Sequence, residues 1–156
     1  HRLRHVIDTE ARVKAYIIEI YQAPPCPARQ TCPTARMPHV WIADDLGERE
    51  PSKRMRVTGY AESQRDIDRA IAEARRGRRP PTAPEGEGLP PIPTDFAVGR
   101  QYTFQGRLTR MSGNGFLDSE GLLDYRGHAP ADAATGGAAP GAATPGAPPA
   151  APAKSR

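Results

Sequence analysis

The sequence predicts one small, mainly β domain with a single helix and a long tail that cannot pack. Two observations carry the β assignment: segments rich in β-branched and aromatic residues recur along the chain, and several of them alternate apolar with polar residues at a period of two. The third observation is compositional. From Ala129 to Ala153 every residue is Ala, Pro or Gly except Asp132, Thr135 and Thr144, so no large apolar side chain offsets the entropy of ordering the chain. Of the 156 residues, 12–126 are expected to form the domain, after a lead-in at 1–11 and before a disordered tail at 127–156. Repeated prolines at 78–94 read as an extended surface insertion, because proline removes backbone donors and restricts the residue before it.

The first strand is expected over Arg12 to Gln22, where Val13, Ala15 and Ile17 share one parity and Tyr16, Ile18 and Ile20 the other, so that both faces are partly buried. Met37 to Asp44 reads as the second strand, stopped by Asp45, Leu46 and Gly47, and the two strands together predict a long hairpin. Arg54 to Tyr60 alternates charged with apolar residues, as a half-buried third strand should. The period then changes. Ile67, Ala70, Ile71 and Ala74 recur at helical spacing after Ser63, with Asp66 in the first turn and Gly77 at the end, so the helix falls over Gln64 to Arg76. Past the proline insertion, Arg100 to Arg110 places Tyr102, Phe104, Gly106 and Leu108 on one face of a fourth strand. Ser112 to Gly115 is a turn, and Phe116 to Tyr125 returns as the last strand with a bulge at Ser119 to Gly121.

Three strands, a helix and two strands is the connectivity of an OB-like, five-stranded Greek-key barrel with its helix between strands three and four. The runs Tyr21-Gln-Ala-Pro-Pro-Cys-Pro27 and Pro38-His-Val-Trp-Ile-Ala-Asp-Asp45 resemble a group of uncharacterised bacterial extracytoplasmic proteins, often lipoproteins, of OB-like build. The resemblance covers the first third of the chain closely and the remainder by strand order. It implies a periplasmic or envelope-anchored protein and names no activity. Members of the group tend to carry further cysteines in this loop, whereas Cys26 and Cys32 are the only cysteines here.

A net charge of +4 comes almost entirely from arginine, since Lys14, Lys53 and Lys154 are the only lysines. An arginine, alanine, proline and glycine bias is also what a GC-rich genome encodes, so the charge implies only a mild preference for anions. No apolar run approaches the length that crosses a bilayer as a helix. The chain begins at His1 rather than methionine, which points to processing, with removal of a signal peptide as one route.

Chemistry-bearing residues are sparse. Cys26 and Cys32 flank five residues in a proline-stiffened loop, and a disulfide between them, worth about 2 kcal/mol through the unfolded chain, fits an oxidising compartment. Free thiols are the alternative, as is a metal site with His39, for which no fourth ligand stands nearby. Asp44, Asp45, Glu48 and Glu50 lack the spacing of a calcium loop and read as an acidic turn. Ser52, Ser63, Ser112 and Ser119 stand in no nucleophile context, and His1, His5, His39 and His128 have no motif partner. No catalytic residue, metal or cofactor is therefore expected. The cluster Arg75 to Arg79 complements a helix C-terminus, with an anionic partner as the alternative.

Binding remains. The aromatics Tyr16, Tyr21, Trp41, Tyr60, Tyr102 and Phe104 could form a stacking platform, though in so small a barrel most are expected in the core. Trp41 and Tyr60, with Arg54, Arg56, Arg107 and Arg110, are the candidate binding residues. The reading that joins these features is a non-enzymatic extracytoplasmic module that contacts an envelope protein or polymer. A single-stranded nucleic-acid binder is the alternative.

Overall fold

A computed structural model describes residues 7–78 and 90–131. The start of the lead-in, residues 79–89 of the proline insertion and the tail from 132 onward lie outside the described residues, and His1, His5 and Arg79 with them. The element order is β1 (Thr9–Ile20), β2 (His39–Ala43), β3 (Met55–Thr58), α1 (Gln64–Arg75), β4 (Gln101–Met111) and β5 (Leu117–Pro130). The chain is thus mainly β, with five strands in one sheet and its helix between β3 and β4, as the sequence predicts.

Hydrogen-bonded neighbours run β1-β2-β3-β5-β4, and β4 pairs back onto β1. β1 serves two partners: Thr9 to Tyr16 pair with β4, and Tyr16 to Ile20 pair with β2. Between the two halves sits a register shift, where Ile17 faces Ile42 and Glu19 faces Trp41, leaving Ile18 extra. A bulge of this kind flips the parity that follows it. Ala11, Val13, Ala15 and Ile17 therefore point to the core before the bulge, and Ile20 packs against it afterwards. The core face switches in mid-strand, while Tyr16 and Ile18 on the other parity are half-buried, so the strand is partly buried on both faces as expected.

β2 contributes Val40 and Ile42 to the core, and β3 contributes Val57. β3 pairs antiparallel with β2 and parallel with β5, the parallel pair running from Arg56 beside Leu122 to Thr58 beside Asp124. Parallel neighbours require a long connection, which α1 and β4 supply. Ser63 caps α1 by accepting from the Asp66 amide at 3.3 Å, while its hydroxyl donates to the Asp66 carboxylate at 2.6 Å. No residue of α1 is fully buried, and Ile67 is the one that packs against the core.

Tyr102, Phe104, Gly106 and Leu108 of β4 all point inward, as their spacing predicts. Phe96 plugs the end of the core: its ring lies between 4.9 and 6.2 Å from those of Tyr60, Tyr102, Phe104, Tyr125 and His128. The last strand departs from expectation at its end. β5 continues through Gly127 to Pro130, residues whose composition reads as tail, and Ala131 is buried with its amide on the Gln101 carbonyl at 3.1 Å. Proline is tolerated there because β3 pairing has already ended at Asp124, so the nitrogen of Pro130 needs no acceptor on that open edge. The expected bulge near Ser119 to Gly121 is present, since Asp118 to Gly121 loop out opposite Arg110 alone, with Gly121 at φ 100°.

Candidate ligand-binding face

Side chains that alternate with Val40, Ile42 and Val57 project from the outer surface of β2 and β3. His39 and Trp41 come from β2, and Arg56 faces Trp41 across the antiparallel pair. Tyr21, just beyond β1, is held by its amide on the His39 carbonyl at 3.0 Å, and its hydroxyl accepts from the Arg36 amide at 2.8 Å. Its ring stacks on His39 with centroids 4.7 Å apart and planes inclined by 13°. Trp41 meets His39 edge-on at 6.5 Å, and Phe116 tilts against His39 at 5.4 Å.

Arg56 lies among these rings. Its guanidinium is 4.3 Å from the Trp41 ring centre and 5.0 Å from that of Phe116, and its Nη1 is 3.0 Å from Oδ2 of Asp118. The two charged side chains are 18% and 12% exposed, so the pair is largely shielded from water, and Nε of Arg56 is buried with no partner. Asp118 reaches β3 only because the β5 bulge swings it there. Arg56 is thereby committed to a structural ion pair, which limits what it can offer an anion.

The β4–β5 turn that presents Phe116 is itself tied down. Ser112 accepts the Phe116 amide on its hydroxyl at 3.0 Å, Asn114 donates to the Ala61 carbonyl at 3.2 Å, and the Gly113 amide donates to Asp124 at 3.1 Å. On the other flank, the β1–β2 loop carries the Cys26–Cys32 disulfide with Cα atoms 4.6 Å apart. Both thiols being joined, neither is a metal ligand. Among the described residues no group of three or more His, Cys, Asp or Glu side chains is placed to hold a metal ion.

His39 lies beneath the face, 4% exposed and covered by Tyr21, Trp41 and Phe116. Its Nδ1 is 2.8 Å from the Met37 carbonyl, which can only accept, so Nδ1 carries the proton and Nε2 is left as the acceptor of the neutral ring. Burial pushes its pKa below the ordinary 6.5, helped by Arg56 and Arg36 and opposed by the Met37 carbonyl and Glu19. The unfolded chain therefore takes up a proton near pH 6.5 that the native ring resists. His39's contribution to stability is complete above that pH and is lost as pH falls through the lower native value. Urea midpoints measured from about pH 8 down to about pH 5 are expected to fall more steeply for the wild type than for His39→Phe. Equal slopes would show that this ring is not held neutral.

The remaining sequence candidates scatter. Tyr60 is 3% exposed and sits in the core against Phe96 and Tyr125, a correction to its place among the binding residues. Tyr102 and Phe104 are likewise core. Arg54 precedes β3 with its Nε buried and without a partner. Arg107 and Arg110 are exposed on β4, which pairs with β1 and β5 rather than with β2 or β3, and Arg107 lies 3.3 Å from Asp8. Only Trp41 and Arg56 of the candidates are brought together. Phe116 and Asp118 complete the group without any motif to announce them.

A second polar arrangement lies at the Phe96 end. Tyr125 and His128 share a hydrogen bond of 2.7 Å, and Nε2 of His128 is 2.6 Å from Asp95, beside a cleft of about 310 Å³ bordered by Pro91, Thr94 and Gly127. Burial raises the phenols of Tyr60 and Tyr125 well above their ordinary value of 10, so neither is disposed to give up its proton. The chain Tyr125–His128–Asp95 fastens the segment after the proline insertion to the end of β5. No protein-family model, curated protein or solved structure matches the chain.

Proposed function

We propose that this chain is a non-enzymatic binding module of OB-like Greek-key build that works outside the cytoplasm at a bacterial cell envelope, taking an envelope protein or polymer on the outer face of β2 and β3. The observation that carries this reading is the group of Tyr21, His39, Trp41 and Phe116 around Arg56, flanked by the disulfide-bridged loop and the anchored β4–β5 turn. The OB-like part is supported by the ring order of the strands, the parallel β3–β5 pair and the helix between β3 and β4. Barrels of that build take ligands on the face of their second and third strands, between the loops that join strands one to two and four to five. The compartment is supported by the disulfide, which persists under oxidising conditions, and by the resemblance carried by Tyr21 to Asp45. Among the described residues no helix is long and apolar enough to cross a membrane.

Trp41 is the only tryptophan, so its emission reports this face directly. The full chain is expected to be retained by the envelope fraction of the cells that make it, with a change in Trp41 emission. Trp41→Ala should lower that retention by about tenfold or more while leaving the circular dichroism unchanged. Retention equal to wild type in that variant would remove the face from the proposal.

A further inference from the structure

We propose that the cleft between the Pro91–Asp95 segment and the end of β5 binds an alkylammonium group, the head of a lysine side chain or of a free aliphatic amine, which donates to the open carboxylate oxygen of Asp95. None of the residues of the β2–β3 face lines this cleft. Asp95 is fixed there through both its backbone and its side chain. Its backbone carbonyl accepts from the Tyr102 hydroxyl at 2.5 Å, and that hydroxyl accepts from the Ala97 amide at 3.1 Å. Its Oδ1 lies 2.6 Å from Nε2 of His128, whose Nδ1 is 2.7 Å from the Tyr125 hydroxyl. Burial and the Asp95 charge keep the proton on Tyr125, so the phenol donates to Nδ1 of the neutral ring and the Nε2–H donates to Asp95. A neutral donor therefore orients the carboxylate and leaves its charge in place. Oδ2 has no hydrogen-bond or ion-pair partner among the described residues, and the Asp95 side chain is 40% exposed.

The size and walls of the cleft select the ligand. A volume of about 310 Å³ stands at the lower end of the roughly 300–1,000 Å³ that ligand pockets enclose, enough for one side chain or small molecule and too little for a polymer chain. Pro91 and Pro93 have backbone carbonyls and no N–H, and half-buried Ile92 lies between them, so this wall offers apolar surface and acceptors. An aliphatic amine has the matching form, an apolar stem that ends in three donors and no acceptor. A guanidinium fits less well, because its planar fork pairs with both oxygens of a carboxylate and His128 already holds Oδ1. An anion is opposed by Asp95 itself. Arg126, the one lysine or arginine among the lining residues, has its Nη2 3.4 Å from Oδ2 of Asp124.

The full chain is titrated at about 50 mM salt with Nα-acetyl-lysine amide, putrescine and Nα-acetyl-arginine amide, and binding is read from the Ile92 methyl and Gly127 amide resonances. Saturating shifts with the lysine amide or with putrescine support the inference, and the tighter of the two gives the source as a protein side chain or a free amine. The arginine amide should bind about fivefold more weakly than the lysine amide. Asp95→Asn keeps an acceptor for the His128 Nε2–H and removes the charge, so affinity should fall about tenfold while the urea midpoint stays near that of wild type. Arg126→Ala leaves Asp95 and His128 in place and takes a like charge from the rim, so it should tighten binding about threefold. Should Asp95→Asn unfold, the direction of the Arg126→Ala effect decides. No saturating shift with either amine, unchanged affinity in Asp95→Asn, or an arginine amide that binds as tightly as the lysine amide would overturn the inference. Weaker binding in Arg126→Ala would mean that a cation holds the ligand, and would overturn it too.

Discussion

Gly106→Ala is expected to cost about 3 kcal/mol of stability, among the largest effects of any single methyl group in this protein. Gly106 points inward on β4 at a register shift, where Gln105 faces Gly127 and Gly106 faces Tyr125, so that β5 spends one residue more than β4. A Cβ built there would sit 2.3 Å from the Asp124 carbonyl oxygen and 3.0 Å from Cγ of Leu123. The first obstacle is backbone and cannot rotate away. Relief requires β4 and β5 to separate at the point where β5 also holds β3 through Asp124. Against a total stability of about 5–15 kcal/mol, a loss of this size shifts the urea midpoint visibly. Gly47→Ala is the control, because nothing lies within 4 Å of the added carbon there and its midpoint should not move. Equal midpoints for the two variants would mean that the β4–β5 bulge relaxes freely.

Gly106 also shows what could be read from the sequence and what could not. Its place on the inner face of β4 follows from the alternation of Tyr102, Phe104, Gly106 and Leu108, and the helix follows from Ile67, Ala70, Ile71 and Ala74 between Ser63 and Gly77. Periodicity fails at bulges, because one extra residue exchanges inside and outside without changing composition. Ile18 did this to β1, and Asp118 to Gly121 did it to β5. The end of β5 was hidden for a different reason. Gly127 to Ala131 have the composition of the tail, and what orders them is pairing with β4 and the contact of His128 with Asp95, thirty-three residues away in the chain. The face was half legible. Trp41 and Arg56 stand on strands whose pairing follows from the expected order, whereas Phe116 and Asp118 join them only through the turn and the bulge. Tyr60 lies in the core rather than on the face because a ring at a strand end can turn either way, and here Phe96, just past the proline insertion, packs against it.

Asp118→Ala is expected to cost about 3 kcal/mol and also to change what the face attracts. The guanidinium of Arg56 has Asp118 as its one ion-pair partner among the described residues, its Nε is already without a partner, and Trp41 and Phe116 restrict its access to water. Removing the carboxylate leaves a shielded charge uncompensated, which is the costly way to break such a pair; replacing both members by apolar groups of similar size removes the desolvation penalty together with the attraction. The double variant Arg56→Met, Asp118→Leu is therefore expected to unfold within about 1 kcal/mol of wild type, although each position is damaging when changed alone. The two effects separate on binding. Asp118→Ala leaves the Arg56 guanidinium without its carboxylate and should gain salt-sensitive affinity for oligo-dT, while the double variant has no such cation and should gain none. Urea melts of the wild type and both variants, with oligo-dT titrations followed by Trp41 emission, test both parts. An Asp118→Ala protein as stable as wild type would show that water compensates Arg56, and one that still ignores oligo-dT would show that the guanidinium is out of reach of a ligand on this face.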